Sequence, residues 1–494
     1  MCSHICYAIV LIHISNTFSE SLPKSLQLPP GRCWGYEDDC EKAARVSAVR
    51  CDPGAQGWRV ERDPVELFYK QGDFGYLRSK LSSVRRVCRA RAGSSSSLVC
   101  SQHLEFCTAT NIALNFTGLS ERVGRENLKY RMDILGPGAV QLADCDLDTA
   151  WIDANLDYMS PLQSWAPELQ HVQTTDSLKS SCDLWIEEPT IVVKLDATTN
   201  MYHHFCDFFN LYLSQHLNYS LSGLEPGVWA TDKQVLLMEN LPYRSAFSTA
   251  WSAFSSRPLL GLAELAGRTV CLRRAVFPLP PRGVFGLYYN TPLVGGCRNS
   301  AMFRSFSSFL LERLGVPTPP RPANRAIQVT FLSRNSARYR RVTNEAELAA
   351  ALRHTGLFTV TVAEFGPRVP LLEQLRQVAA TDILVGIHGA GLTHSLFLPD
   401  WAEVFELYNC EDAGCYRDLA ALRGVGYTTH SWGAAGELLT SIPVPGGNTG
   451  PAHRKFANYA FDTEEFVRVL LTIRERLLSK PEFQREAQTT RNEL

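Results

Sequence analysis

Charge of a single sign is the first thing this chain lacks. Lys and Arg number 49 against 50 Asp and Glu, a formal net charge of −1 over 494 residues. No global basic field therefore exists to hold nucleic acid or an anionic membrane, and any bound anion must be caught locally. Paired Cys-x-x-Cys spacings are missing too, although there are 15 cysteines. Scattered singly, they argue against a zinc ribbon and for an oxidising compartment. No internal repeat of about 20 to 50 residues is visible, which excludes a solenoid. Nor is there an apolar run long enough to span a bilayer. The opening "MCSHICYAIVLIHIS" is too short, carries no Lys or Arg, and gives way to the polar "NTFSESLPKS"; residues 1–19 read as a signal peptide.

What is present fits secretion. Removing Cys2 and Cys6 with the signal leaves 13 of the 15 cysteines, an odd number, so at least one thiol stays unpaired within a monomer. Cys206, inside an expected helix, is the candidate. "NFT" at Asn115 and "NYS" at Asn218 are glycosylation acceptors. The last four residues, Arg491, Asn492, Glu493 and Leu494, resemble a KDEL-type retrieval signal with Asn in place of Asp. The termini together imply a soluble resident of the endoplasmic reticulum lumen that meets a retrieval receptor.

At 45% hydrophobic the chain can bury two ordinary cores. Residues 28–184 are dense in cysteine and poor in periodicity, so they read as a stapled cysteine-rich N-terminal region packing on a first domain. Strands and helices alternate over 185–313, where "TIVVKLD", "NMYHHFCDFFNLYLSQHL", "KQVLLMEN" and "VCLRRAVFPL" follow one another. The four prolines of 314–325 mark a linker. Alternation restarts over 326–480 with "AIQVTFLSR", "NEAELAAALRHTG", "LFTVTVAEF", "VPLLEQLRQVAATD", "ILVGIHGAG" and "AEVFELYN", and 481–494 is a tail. Strand, helix, strand repeated in this way predicts a parallel sheet with right-handed crossovers.

Ligands of such sheets sit beyond the carboxyl ends of the strands, near helix N-termini. In "TDILVGIHGAGLTHSLFLPD" the strand ends at a turn holding His388, Gly389, Ala390 and Gly391. The glycines allow close backbone approach, and a helix from about Leu392, with Thr393 in its first turn, would aim its N–H groups at a diphosphate. "TFLSR" places Ser333 and Arg334 after another strand, and "VFELY" places Glu406 after a third. An arginine can grip phosphate with two N–H groups, and a carboxylate can accept from both ribose hydroxyls. Those are the needs of a nucleotide diphosphate. The competing reading makes Arg334 a surface residue, His388 a core histidine and Glu406 a solvent-facing strand end.

The blocks "GIHGAGLTHSLFLPDWAEVFELYNCED", "NMYHHFCDFFNLYLSQH" and "YYNTPLVGGC" resemble glycosyltransferase family 61, over about 31–462 of the chain. The resemblance implies an α/β protein of GT-B type, two Rossmann-like domains facing a cleft, with the nucleotide held mainly by the C-terminal one. It further implies inverting transfer of N-acetylglucosamine from UDP-GlcNAc to Ser or Thr of a folded EGF-like repeat. Partners would then be secreted or membrane proteins bearing such repeats, such as Notch-like receptors and matrix proteins. In one respect the chain departs from the family pattern. After "WSAF", where an acidic triplet is expected, stand Ser256, Arg257 and Pro258, which puts full catalytic efficiency in question.

On the acceptor side, Asn200 can cap a helix with an apolar stripe at Met201, Phe205, Phe208 and Tyr212. A neighbouring stripe holds His203, Asp207, Asn210 and Ser214. His203 and Asp207, four apart, share a face and are predicted to turn together toward the cleft, with Asp207 as the base and His203 its partner, or the reverse. A purely structural pair is the alternative. "HHFCD" as a zinc site lacks a second ligand cluster. The acidic cluster Asp144, Asp146 and Asp148 invites a GT-A reading with Mn²⁺, but its place in the cysteine-rich half suggests a loop. No cofactor beyond the donor is required; a divalent metal is compatible with the reading, but no motif in the sequence supports one. Two other functions fit the same residues: a family-related xylosyl or O-mannosyl-glycan-directed transferase, or a catalytically weak lumenal protein that holds EGF-like modules.

Overall fold

Ile383–Gly386 is buried at every residue, as a strand covered on both faces must be, and it forms the middle of a five-stranded sheet. The order is Phe358–Ala363, Ile327–Leu332, Ile383–Gly386, Glu403–Glu406 and Gly426–Thr429, with every pairing parallel. In chain order this is 2-1-3-4-5, so the crossovers leave in opposite directions from the adjacent strands Ile327–Leu332 and Ile383–Gly386. A crevice opens beyond the carboxyl ends of such a pair. The structure is a computed structural model that describes residues 22–55, 63–91, 95–119, 135–222, 228–239, 241–283, 288, 294–318, 326–337, 339–407, 414–430, 439–442 and 457–484. The signal segment 1–19, residues 319–325 of the linker and the four-residue tail motif lie outside them.

A second sheet has eleven strands. Its parallel corner runs Leu260–Gly261, Gln234–Leu237, Thr190–Val193, Thr269–Phe277, the order 3-2-1-4 of a doubly wound half. Beyond Thr269–Phe277 it turns antiparallel through Cys107–Asn115, Ser97–Cys100, Arg85–Ala90 and Cys145–Leu147. The cysteine-rich stretch 28–184 is thus no separate extension. It supplies much of the sheet, and the strand Leu184–Ile186 straddles the expected boundary at 184. Its disulfides join neighbouring strands: Cys100–Cys107 and Cys88–Cys145 within the antiparallel part, and Cys182–Cys271 beside Leu184–Ile186. Cys51–Cys297 and Cys33–Cys40 complete the five bridges among the described residues, where Cys206 is free and buried.

The helix Met201–Ser222 crosses from Thr190–Val193 to Gln234–Leu237 and sits in the centre of the molecule. Between residues 201 and 217 every side chain is buried except that of His203. One apolar cluster passes through the helix into both halves, taking in Phe205, Phe209 and Phe306 on one side and Leu384, Leu392 and Leu419 on the other. Phe209 stacks on Phe303 with ring centroids 4.1 Å apart, and Phe205 meets Phe397 at 5.4 Å. None of the described helices is long and apolar enough to cross a membrane.

Near its C-terminal end the helix carries His216 into a cage of Trp34, Phe74, Tyr212 and Trp229, with Tyr36 Oη 2.6 Å from Nδ1. Burial pushes the His216 imidazole down to about 3, and that of the equally buried His394 to about 4. Both folded-state values lie below the unfolded value near ~6.5, so only the unfolded chain takes up these protons as pH falls. Stability should drop below about pH 6.5, by roughly 1.4 kcal/mol per pH unit for each histidine, until the folded values are reached. Denaturant titrations at pH 7 and 5 should show this loss, and His216→Phe should remove about one proton from the slope. An identical slope in that variant would exclude His216 as a source.

Candidate active site

At the switch point the chain leaves Ile383–Gly386 through Ile387 and His388 and enters the short 3-10 helix Ala390–Phe397. Gly389 is the necessary glycine: a Cβ there would stand 3.0 Å from Arg334 Nη1 and 3.5 Å from Arg340 Nη1. Gly391 carries no such constraint, since a Cβ would make ordinary contact with Leu332 at 3.5 Å. The expectation of two required backbone openings therefore reduces to one.

Two guanidinium groups converge on this turn. Arg334 arrives from the end of Ile327–Leu332, and Arg340 Nη1 donates to the His388 carbonyl at 2.9 Å. Among the described residues neither has a carboxylate partner, and the buried Nε of each is without an acceptor. Burial, and then the charge of Arg340, hold the Arg334 guanidinium below its ordinary value, while Tyr416 works in the opposite direction. Two like charges half out of water, lacking a counter-charge, make an anion site. Arg340 was missed in the sequence, where its only signal is the arginine run of "SARYRR".

The other expected donor residues divide. His388 is only 13% exposed, and its Nδ1 donates to Glu406 Oε1 at 2.5 Å, which leaves Nε2 as the acceptor nitrogen of the ring. Glu406 is buried, and its second oxygen accepts from Tyr427 at 2.7 Å, so it is not available to ribose hydroxyls as expected. Burial and the adjacent Glu406 push the Tyr427 phenol well up, keeping it a donor. Thr393 is fully buried beneath the turn rather than on its surface. Ser333 is spent on Glu345 at 3.0 Å. The second histidine of the motif, His394, is structural, bonded to the Gly391 carbonyl and to Gln374.

On the opposite wall the predicted pair separates. His203 Nδ1 donates not to Asp207 but to Asp196 Oδ2 at 2.8 Å, and Arg282 grips the same carboxylate through Nε at 3.1 Å and Nη2 at 2.9 Å. Although burial alone would raise it, these bonds hold the Asp196 carboxyl below its usual range. Asp207 points into the core. Its Oδ2 accepts from His204 Nδ1 at 2.9 Å, and its Oδ1 from the Asp196 backbone N–H at 3.1 Å. Tyr243 Oη donates to His204 Nε2 at 2.9 Å and accepts from Trp251 Nε1 at 3.0 Å. A carboxylate so enclosed cannot reach an acceptor hydroxyl. Sharing a helical face was not enough, because this helix has no solvent face: Asn210 and Ser214 are likewise used on the buried segment 279–281.

Four rings connect the two walls: His203 to Tyr202 at 5.7 Å, Tyr202 to Tyr416 at 5.8 Å, and Tyr416 to His388 at 5.2 Å. The remaining sequence candidates lie elsewhere. Asp146 pairs with Arg91 at 2.6 Å, Asp148 caps a helix at Trp151 N and pairs with Arg85, and Asp144 accepts from Ser95. Ser256, Arg257 and Pro258 are engaged at the sheet edge with Thr231, Glu188 and Gln234. Asn115 is partly exposed and accepts from Thr117 N at 2.9 Å. Asn218 lines a cavity of about 550 Å³ at the far end of the central helix, with Leu211, Gln215 and Arg274. That cavity is not at the chemistry just described.

Comparison with known proteins identifies the family. Residues 155–405 match the family model described as Glycosyltransferase 61. A protein of Drosophila melanogaster named EGF domain-specific O-linked N-acetylglucosamine transferase is 43% identical, with 98% of this chain and 94% of that protein covered. Proteins of the same name from Mus musculus and Xenopus laevis are 40% and 42% identical, covering 91% and 89% of this chain and 84% and 81% of their own lengths. Both walls of the crevice contribute to the matched region, from Asp196 and His203 to the His388 turn. The chain belongs to the glycosyltransferase 61 family.

Proposed function

We propose that this enzyme transfers N-acetylglucosamine from UDP-GlcNAc to a Ser or Thr hydroxyl of folded EGF-like domains, in a GT-B type arrangement with inversion at the anomeric carbon. The names of its relatives support the acceptor and the sugar. The observation that carries the chemistry is a pair of opposed walls: an unneutralised arginine pair on one, and on the other His203, the one residue of 201–217 that is not buried. Arg334 and Arg340 take the diphosphate against the Gly389 turn. His203, its Nδ1 proton fixed on Asp196, offers Nε2 as the base. The acceptor O–H gives its proton to Nε2 as its oxygen bonds to the anomeric carbon. The bond from that carbon to the diphosphate breaks on the opposite face, and UDP leaves with the electron pair. The five disulfides among the described residues support synthesis in an oxidising lumen such as that of the endoplasmic reticulum.

Two substitutions test the donor side. Arg334→Ala and Arg340→Ala should each weaken UDP binding by roughly 1.5 to 3 kcal/mol, the scale of a hydrogen bond to a charged group. Calorimetry showing wild-type affinity in both folded variants would remove the diphosphate from this turn.

Single-turnover transfer to one folded EGF-like repeat tests the rest. His203→Ala should slow the chemical step by about 10² to 10⁴ with UDP affinity kept, whereas Asp207→Asn should act chiefly by lowering thermal stability. Near wild-type turnover in His203→Ala, with loss in His388→Ala, would move the base to the His388–Glu406 pair. Competition among UDP-sugars separates this reading from a xylosyl-directed one, and tight acceptor binding without turnover would reduce the protein to a binder. Changing Glu493 and Leu494 to Ala should raise secretion from cells if the tail is a retrieval signal; equal secretion would make it a coincidence.

A further inference from the structure

Met159 is 90% exposed, while the next most exposed large apolar side chain among the described residues, Leu22, is 40% exposed. Single exposed apolar residues are ordinary on protein surfaces. This one is set apart by how and where it is held. Gln163 Oε1 accepts from the backbone N–H of Met159 at 2.7 Å and of Ser160 at 3.2 Å, and Gln163 N–H donates to the Ser160 carbonyl at 2.9 Å. The turn is therefore fixed by backbone and glutamine, without help from the methionine side chain.

The residues that follow are tied to the acceptor wall. The Pro161 carbonyl accepts from Lys194 Nζ at 2.9 Å, and the Leu162 carbonyl from the Arg282 backbone N–H at 3.0 Å. Lys194 is buried, ion-paired with Glu168 at 2.6 Å, and stands two residues before Asp196. Arg282 is the residue that clamps the Asp196 carboxylate. The two anchors of the turn thus flank the group that orients His203. Met159 is three residues from Leu162, a reach of about 10 Å of extended chain.

We propose that Met159 is an acceptor-docking contact, its side chain packing on an apolar or aromatic side chain of the EGF-like module beside the hydroxyl that faces His203. A flexible, polarisable thioether tolerates modules that differ in that side chain and makes favourable contacts with ring edges. The proposal rests on the functional reading above, and the test separates the two. In steady-state transfer from UDP-GlcNAc to a single folded repeat, Met159→Ser should raise the acceptor KM roughly 5- to 30-fold, as expected for losing a buried apolar contact. kcat, UDP affinity and melting temperature should stay at wild-type values. Met159→Leu should restore KM, and Leu221→Ser, at the far end of the central helix, should leave it unchanged. An active Met159→Ser enzyme with wild-type KM would overturn the docking role alone. A wild-type protein that transfers nothing to such repeats would overturn both readings.

Discussion

The burial of the Met201–Ser222 helix on all sides over residues 201–217, save at His203, is the constraint on which the rest depends. An amphipathic helix can send its polar side chains to water; a helix enclosed by a sheet on one side and the 390–397 turn on another cannot. Each polar residue along it needs a protein partner or imposes a desolvation cost of about 1 to 3 kcal/mol. His204 and Asp207 meet that need in a chain of donors from Trp251 through Tyr243 and His204 to the Asp207 carboxylate, whose other oxygen accepts from the Asp196 backbone N–H. Every donor in it has one acceptor, so no alternative arrangement of protons is favoured. That last N–H belongs to the residue whose side chain orients His203. Core order is transmitted to the crevice by hydrogen bonds rather than by packing alone.

Opposite walls of the crevice repeat one device. His203 on Asp196 and His388 on Glu406 each pair an imidazole Nδ1 with a buried carboxylate, which fixes the ring and the tautomer. Their surroundings differ in charge. Arg282 compensates Asp196 directly, so charge beside His203 is locally balanced. Around His388 the positive charge of Arg334 and Arg340 exceeds the negative charge at hand, because Glu406 is already shared with Tyr427. An anion binding there relieves repulsion that the free protein must tolerate, and Gly389 is what permits the two guanidinium groups to approach so closely.

The C-terminal half was legible in the sequence because its strands, buried on both faces, are continuous apolar runs separated by periodic helices. "AIQVTFLSR", "LFTVTVAEF", "ILVGIHGAG" and "AEVFELYN" all became strands of the parallel sheet. Among the antiparallel strands before residue 184, burial along Cys107–Asn115 does not alternate strictly, and the ladder of Arg85–Ala90 shifts register between Arg86 and Cys88, so no clean run of alternation survives to be read. Candidates carried by one segment, such as Arg334 and His388, do come together at the Gly389 turn. Pairings between distant segments were not legible: nothing in "VFELY" indicates that Tyr427 would occupy Glu406, and nothing in "KLD" indicates that Asp196 would displace Asp207 as the partner of His203. The spacing of four placed the latter two on one face correctly, but faces matter only when one of them is open.

Segment 278–282, "PLPPR", shows how a short stretch can position a charged group inside a protein. It leaves the sheet at Phe277 and runs buried along the central helix. An ordinary chain there would bring an N–H at each position that needed an acceptor. Prolines at 278, 280 and 281 remove three of those donors, and Leu279 N–H, the one that remains before Arg282, is accepted by Ser214 Oγ at 2.8 Å. The carbonyls are used in turn by Trp165 Nε1, Asn210 Nδ2 and the thiol of Cys206. This also gives the free Cys206 a part: burial pushes its thiol well up, so it stays protonated and serves as a small donor to the Pro281 carbonyl. The proline ring torsions make the segment stiff, and it is held by the helix at Cys206, Asn210 and Ser214 and by Trp165. Arg282 therefore reaches Asp196 with little freedom left to lose, and the imidazole of His203 inherits that fixity.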